Sequence, residues 1–149
     1  GKPRVNSNAP RSDVYFNSSR SKDVALIALT EEVEVGIDIE ASNPLFNDST
    51  LAARVLTFDE RAALHALPAA QRVIAFGRYW VRKEAVLKAV GTGLLTPPEN
   101  IDTSTGDGRP FGSVLLKGFD GEIRRVWWRD IPLRGFDGFA AVAFTSCDH

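Results

Sequence analysis

Two short stretches of this chain carry side chains whose types and spacing suit metal-assisted chemistry. Asp38 and Glu40 stand two residues apart in Gly36-Ile37-Asp38-Ile39-Glu40. On an extended strand a period of two puts both carboxylates on one face, about 6.6 Å apart along the chain. Two carboxylates so placed can converge on one hard cation, although the same pattern also suits a solvated strand end. Glu84 and Lys88 stand four apart in Trp80-Val81-Arg82-Lys83-Glu84-Ala85-Val86-Leu87-Lys88. Glu four residues before Lys is the ordinary stabilising pair of a helix surface, worth ~0.2–0.5 kcal/mol, so the spacing alone does not assign it a role. Trp80 falls on the same side of that helix, where a core anchor is its plain reading. With one cysteine, Cys147, and two histidines, His65 and His149, the chain cannot assemble a Cys/His zinc site. It also leaves little room for a Ser-His-Asp triad. Metal chemistry here must rest on oxygen ligands.

The elements that must position these residues are legible to different degrees. Val24 to Thr30 is a short apolar run and Val33 to Ile39 alternates, with Glu31-Glu32 between them, so the two read as a β-hairpin. Thr57-Phe58-Asp59-Glu60 has the form of a capping box, with Thr57 as N-cap and Glu60 reaching back, and a short helix is predicted from there to about Leu67. Pro68 suits the start and Gly91 the C-cap of a long helix over Ala69 to Val90, with Phe76, Trp80, Leu87 and Val90 on one face. Gly91-Thr92-Gly93 has no strand before it and no helix after it, so it reads as a helix stop and not as a phosphate-binding loop. Ser113 to Phe119, Glu122 to Ile131 and Gly138 to Thr145 read as strands, with Asp120-Gly121 signalling a type I′ hairpin. Consecutive Trp127 and Trp128 on one strand should point to opposite faces. The grouping of strands and helices predicts an α+β fold with an antiparallel sheet packed against the long helix. Residues 1–15 are expected to form an extended lead-in, and residues 16–149 a single domain.

Composition narrows the classes further. The chain has 149 residues, 44% hydrophobic and 25% charged, which is ordinary for a soluble globular domain. A formal net charge of −1 with scattered Lys and Arg argues against a nucleic-acid partner. Apolar runs fall short of the ~20 residues of a membrane helix, and no signal peptide is visible, so a membrane role is not expected. A single cysteine fits a reducing cytoplasm.

Taken in order, the motifs resemble the 4′-phosphopantetheinyl transferase family. Gly36 to Glu40, followed some forty residues later by Trp80 to Lys88 and then Ala89-Val90-Gly91-Thr92-Gly93-Leu94, resembles its paired signature. Upstream, Phe16-Asn17-Ser18-Ser19-Arg20-Ser21 resembles the segment usually written Phe-Asn-x-Ser-His-Ser. The opening Gly1-Lys2-Pro3 resembles the Gly-Lys-Pro of the longer, surfactin-synthetase-activator type. Leu56 to Leu64 resembles the intervening Phe-(Ser/Thr)-x-x-Glu segment, with Glu60 at the acidic position.

The resemblance implies a magnesium-dependent transfer of 4′-phosphopantetheine from coenzyme A to a serine of an acyl or peptidyl carrier protein. It implies Mg²⁺ held by Asp38, Glu40 and Glu84, with Glu60 in support and the coenzyme A pyrophosphate completing the shell. It further implies Glu84 as the base, Lys88 on the attacked phosphate, and Lys2, Ser19 and Arg20 on coenzyme A phosphates. Arg20 stands where the family has His, and a guanidinium binds phosphate but cannot shuttle a proton. The match covers the second half of a two-half architecture, and the chain has no methionine, so it reads as part of a longer enzyme. A missing N-terminal half or self-association is the matching expectation. A coenzyme A or carrier-protein binding module without turnover is the rival reading. Arg78 and Arg82, four apart on the long helix, are the expected carrier-facing charges.

Overall fold

The computed structural model describes residues 4–5, 14–91, 96–105 and 107–146. In chain order its strands are β1 (Arg4–Val5), β2 (Val14–Ser21), β3 (Val24–Thr30), β4 (Val35–Ala41), β5 (Phe111–Lys117), β6 (Ile123–Asp130) and β7 (Gly138–Thr145). Its α-helices are α1 (Ser49–Val55), α2 (Phe58–His65) and α3 (Ala69–Val90). Short 3₁₀ turns occupy Pro44–Asn47 and Pro98–Asn100. The strands form two antiparallel sheets, one in the order β1-β2-β3 and one in the order β4-β7-β6-β5. The α+β expectation, antiparallel sheet against a long helix, is met.

The hairpin expected between residues 24–30 and 33–39 does not form. β3 pairs with β2 through a two-residue loop, Lys22-Asp23, where Lys22 takes the positive φ of 51° that so short a turn demands. β4 instead pairs along its whole length with β7 in the other sheet. Burial explains the split. β3 alternates between half-buried and exposed positions, whereas Val35, Gly36, Ile37, Asp38 and Ile39 are all buried, so β4 needs cover on both faces. It finds that cover between α3 and the β2–β3 sheet.

β4 is the edge of its sheet, and β2 satisfies that edge with side chains. The amides of Ile37, Ile39 and Ala41 donate to Asn17 Oδ1 (2.9 Å), Ser19 Oγ (3.1 Å) and Ser21 Oγ (2.9 Å). Strand periodicity on β2, one polar residue every second position, matches strand periodicity on β4 and leaves these amides paired.

α3 begins after Pro68 and stops at Gly91, whose φ of 78° is the left-handed C-cap expected of glycine. It lies across β4, β7 and β6, burying Val81, Ala85, Val86 and Ala89 against Val126, Trp128, Ala141 and Ala143. Gly36 permits the close approach: a Cβ there would sit 2.1 Å from the carbonyl oxygen of Ala85 and 2.5 Å from the amide nitrogen of Ala89. Trp128 is buried and Trp127 is exposed, as their adjacency required.

The capping box at α2 is present, with the Glu60 amide donating to Thr57 Oγ1 (3.1 Å) and the Thr57 amide to Glu60 Oε1 (2.9 Å). The loop between β5 and β6 differs from the type I′ expectation. Gly121 has a φ of 81° but Asp120 does not share it, and the Gly121 amide donates to the Gly118 carbonyl (3.1 Å). The result is a three-residue loop ending on a left-handed glycine. The reason is local: Asp120 accepts from the Glu122 amide (3.0 Å) and from Arg124 (2.9 Å), a pattern that stabilises the wider turn. Helix α1 was not foreseen; Asp48 caps it by accepting from the Thr50 and Leu51 amides. No helix among the described residues is long and apolar enough to cross a membrane.

Candidate active site

Asp38 and Glu40 project from β4 onto the face that meets α3, and Trp80, Glu84 and Lys88 come down from α3 at four-residue intervals. Lys88 ties the two elements. Its ammonium donates to the Ile37 carbonyl (2.9 Å) and to Asp38 Oδ1 (3.1 Å). The third element is β2, from which Ser19 Oγ donates to the same Asp38 Oδ1 (3.2 Å). Asp38 is only 3% exposed, and its other oxygen, Oδ2, is buried without a hydrogen-bond partner.

The electrostatics of this group show a deficit of positive charge. Burial pushes the Asp38 carboxyl above its ordinary range, and the Lys88 ammonium only partly offsets this. Glu40 is pushed up to about 7, first by burial and then by the Asp38 charge, with a hydrogen bond from Trp80 opposing the rise and a hydrogen bond shared with Asp38 adding to it. Glu84 is raised by burial and again by Asp38, with Lys88 lowering it. One ammonium therefore offsets two of three carboxyls that repel one another, the environment in which an added cation is stabilised.

The chemistry of these donors fits Mg²⁺ in one particular way. Among the described residues no three carboxylate, histidine or cysteine side chains stand together as a ready-made metal cage. Mg²⁺ is ordinarily held by one or two carboxylates plus substrate phosphates, and that is the set present: oxygen donors, one of them a buried and unpartnered carboxylate oxygen.

The remaining expected residues fall elsewhere. Glu60 is fully buried and its bonds are taken: Oε1 by the Thr57 amide and Lys83 (2.6 Å), Oε2 by the Thr103 amide (2.9 Å) and hydroxyl (3.2 Å). It is not brought to Asp38. Lys83 in turn donates to the Pro98 carbonyl (3.0 Å) and the Ile101 carbonyl, fastening residues 98–103 under α3. Arg20 lies one residue from Ser19 and so on the opposite face of β2, exposed, with its Nε 3.4 Å from the Lys22 carbonyl. Lys2 lies outside the described residues. Arg82 is a correction to the carrier-facing reading: it is buried, forked onto Asp130 (2.8 and 2.7 Å), bonded to the Thr103 carbonyl (3.0 Å) and stacked on Trp128. A helix spacing of four does not distinguish an outward arginine from one that turns under a sheet edge. Arg78 is exposed. Nothing in the position of Lys83 beside Glu84 signals a partner 23 residues upstream.

Comparison with known proteins shows the family. Residues 34–141 match the 4′-phosphopantetheinyl transferase superfamily, and the chain belongs to it. It is 41% identical over 91 residues to 4′-phosphopantetheinyl transferase AcpT of Salmonella typhimurium, covering 61% of this chain and 46% of that protein. It is 38% identical over 94 residues to 4′-phosphopantetheinyl transferase HetI of Nostoc, covering 63% of this chain and 40% of that protein. AcpT of Escherichia coli K12 is 40% identical over 91 residues. The chain thus matches less than half the length of these curated relatives.

Proposed function

We propose that this chain carries the catalytic machinery for Mg²⁺-dependent transfer of 4′-phosphopantetheine from coenzyme A to a serine of an acyl or peptidyl carrier protein in the cytoplasm. The observation that carries the reading is the junction of β2, β4 and α3, where Asp38 keeps a buried, unpartnered oxygen amid Glu40, Glu84 and Lys88. Asp38, Glu40 and Glu84 are the residues that would hold Mg²⁺, together with the coenzyme A pyrophosphate. When bound, the ion neutralises charge on the phosphoryl oxygens and on the departing 3′,5′-ADP. Lys88 is already oriented by Asp38 and its side chain is 30% exposed, so its remaining donor capacity can meet the attacked phosphate. Glu84, whose carboxyl is held above its ordinary range, takes the proton of the incoming serine hydroxyl. The serine oxygen then bonds to the phosphorus of the pantetheine phosphate as its bond to 3′,5′-ADP breaks. Lys2 and Arg20 are assigned to coenzyme A phosphates, Arg20 from the exposed face of β2.

We also propose that further polypeptide completes the enzyme. Ile27 and Leu29 on β3 are each 67% exposed, an apolar stripe on an edge strand that a monomer of this length does not ordinarily leave open. Either the part of the relatives that this chain does not match or a second copy covers it.

The test is the intact mass of an apo carrier protein incubated with the chain, coenzyme A and Mg²⁺, with calorimetry of coenzyme A binding in parallel. A gain of one phosphopantetheine supports transfer. Tight, Mg²⁺-dependent coenzyme A binding with no gain would favour the binding-module reading.

A further inference from the structure

The hydrogen bonds around Asp38 are lopsided, and Ser19 accounts for the asymmetry. A serine hydroxyl has one hydrogen to give and lone pairs to receive. Ser19 receives the Ile39 amide (3.1 Å) and gives its hydrogen to Asp38 Oδ1 (3.2 Å). The backbone of β4 therefore fixes the hydroxyl, and the hydroxyl fixes the neighbouring carboxylate. Lys88 reaches the same Oδ1. Both of these donors lie on one oxygen, while Oδ2 is buried with no nitrogen or hydroxyl donor; the further hydrogen bond of Asp38 is the one it shares with the Glu40 carboxyl, whose proton a cation would replace.

We propose that Ser19 is a positioning residue that pins Asp38 through Oδ1 and so reserves Oδ2 for the cation. The inference deepens the reading of the metal site above and rests on it. The geometry also supplies an internal control. Asn17 occupies the same ladder two residues earlier and accepts from the Ile37 amide (2.9 Å), yet has no bond to Asp38. Loss of either side chain strips one rung between β2 and β4, and only loss of Ser19 also takes a hydrogen bond from the carboxylate, leaving Lys88 alone on Oδ1.

The experiment titrates Mn²⁺ into the chain without coenzyme A, counting free ion by electron paramagnetic resonance, alongside thermal melts. Wild type should bind Mn²⁺, and Asp38→Asn should abolish binding. Ser19→Ala should weaken it about 10- to 100-fold, the usual consequence of losing a residue that orients a ligand. Ser19→Thr should restore it, and Ser19→Cys, which keeps the packing with a poorer donor, should fall between. Asn17→Ala should lower the melting temperature as much as Ser19→Ala and leave Mn²⁺ affinity within about twofold of wild type, since it touches no ligand. Equal affinity in wild type and Ser19→Ala, or equal losses in Ser19→Ala and Asn17→Ala, would overturn the inference while the metal reading stands. Absence of Asp38-dependent Mn²⁺ binding in wild type, both alone and with coenzyme A supplying its phosphate oxygens, would sink the metal reading and this inference with it. Should Ser19→Ala fail to fold, undiminished affinity in Ser19→Cys would serve as the overturning result.

Discussion

The two sheets are built alike and finished differently. β1-β2-β3 and β5-β6-β7 are both antiparallel runs of sequential neighbours, but β7 gains a further partner in β4 and a helix across its face, while β3 ends its sheet. The consequence is visible residue by residue. Ala141 and Ala143 on β7 are wholly buried beneath α3, whereas Ile27 and Leu29 on β3 remain largely open. The covered sheet also buries Trp128, Ile37, Ile39 and Val126, so the exposed Ile27 and Leu29 mark a face still lacking its cover. Stability is concentrated around α3, and the candidate site sits at the seam where the uncovered sheet lends its polar side chains to the covered one.

Substitutions on the two sides of that seam should separate cleanly in denaturant unfolding. The largest effect is expected under α3. Lys83→Ala leaves Glu60 buried without its cation and should cost about 3–5 kcal/mol, as removal of one member of a buried pair usually does. Trp128→Ala, which empties the core between α3 and β6 and strips the surface on which Arg82 stacks, should cost a similar ~3–5 kcal/mol. Gly36→Ala should cost about 1–3 kcal/mol, because the added carbon meets backbone of α3 that cannot give way locally. At the other end, Ile27→Ser on the uncovered stripe should change stability by no more than ~0.5 kcal/mol in the isolated chain. A large loss at Ile27 would show that β3 is covered in solution, and size-exclusion light scattering would then reveal by what.

The site itself predicts a pH dependence. Glu40 is held at about 7, above its unfolded value of 4.5, so its folded state prefers the proton. The stabilising contribution of that protonated form is fully present below about pH 4.5 and is lost as pH rises through about 7. The melting temperature of the metal-free chain should therefore fall between pH 5 and pH 8, Glu40→Gln should flatten the fall, and Mg²⁺ added at pH 8 should raise it again. A melting temperature that rises over this range would contradict the assigned electrostatics.

Several elements could be read from local chemistry. The capping box at Thr57 and Glu60, the helix from Ala69 to Val90 with its glycine stop, and the strand over Gly138–Thr145 depend on neighbours a few residues apart, and they form as expected. Asp38, Glu40, Glu84 and Lys88 were legible as ordered motifs, and the structure sets Lys88 on Asp38 with both glutamates near enough to feel the Asp38 charge. Pairings between distant strands were not. The β3–β4 hairpin failed because an alternating run does not reveal whether both faces of a strand will be covered, and β4 found its partner a hundred residues away in β7.

The amino-acid sequence by itself determined which residues could do chemistry and which helices and turns would present them, since spacing, capping and backbone permissiveness act over a few residues. Tertiary packing settled how each polar group spends its hydrogen bonds. Glu60 was drawn into a closed pair with Lys83, Arg82 turned under Asp130 and Trp128, and Ser19 was set against Asp38. Those outcomes follow from burial, which forces each polar atom to find whichever partner the fold delivers, however far along the chain it lies.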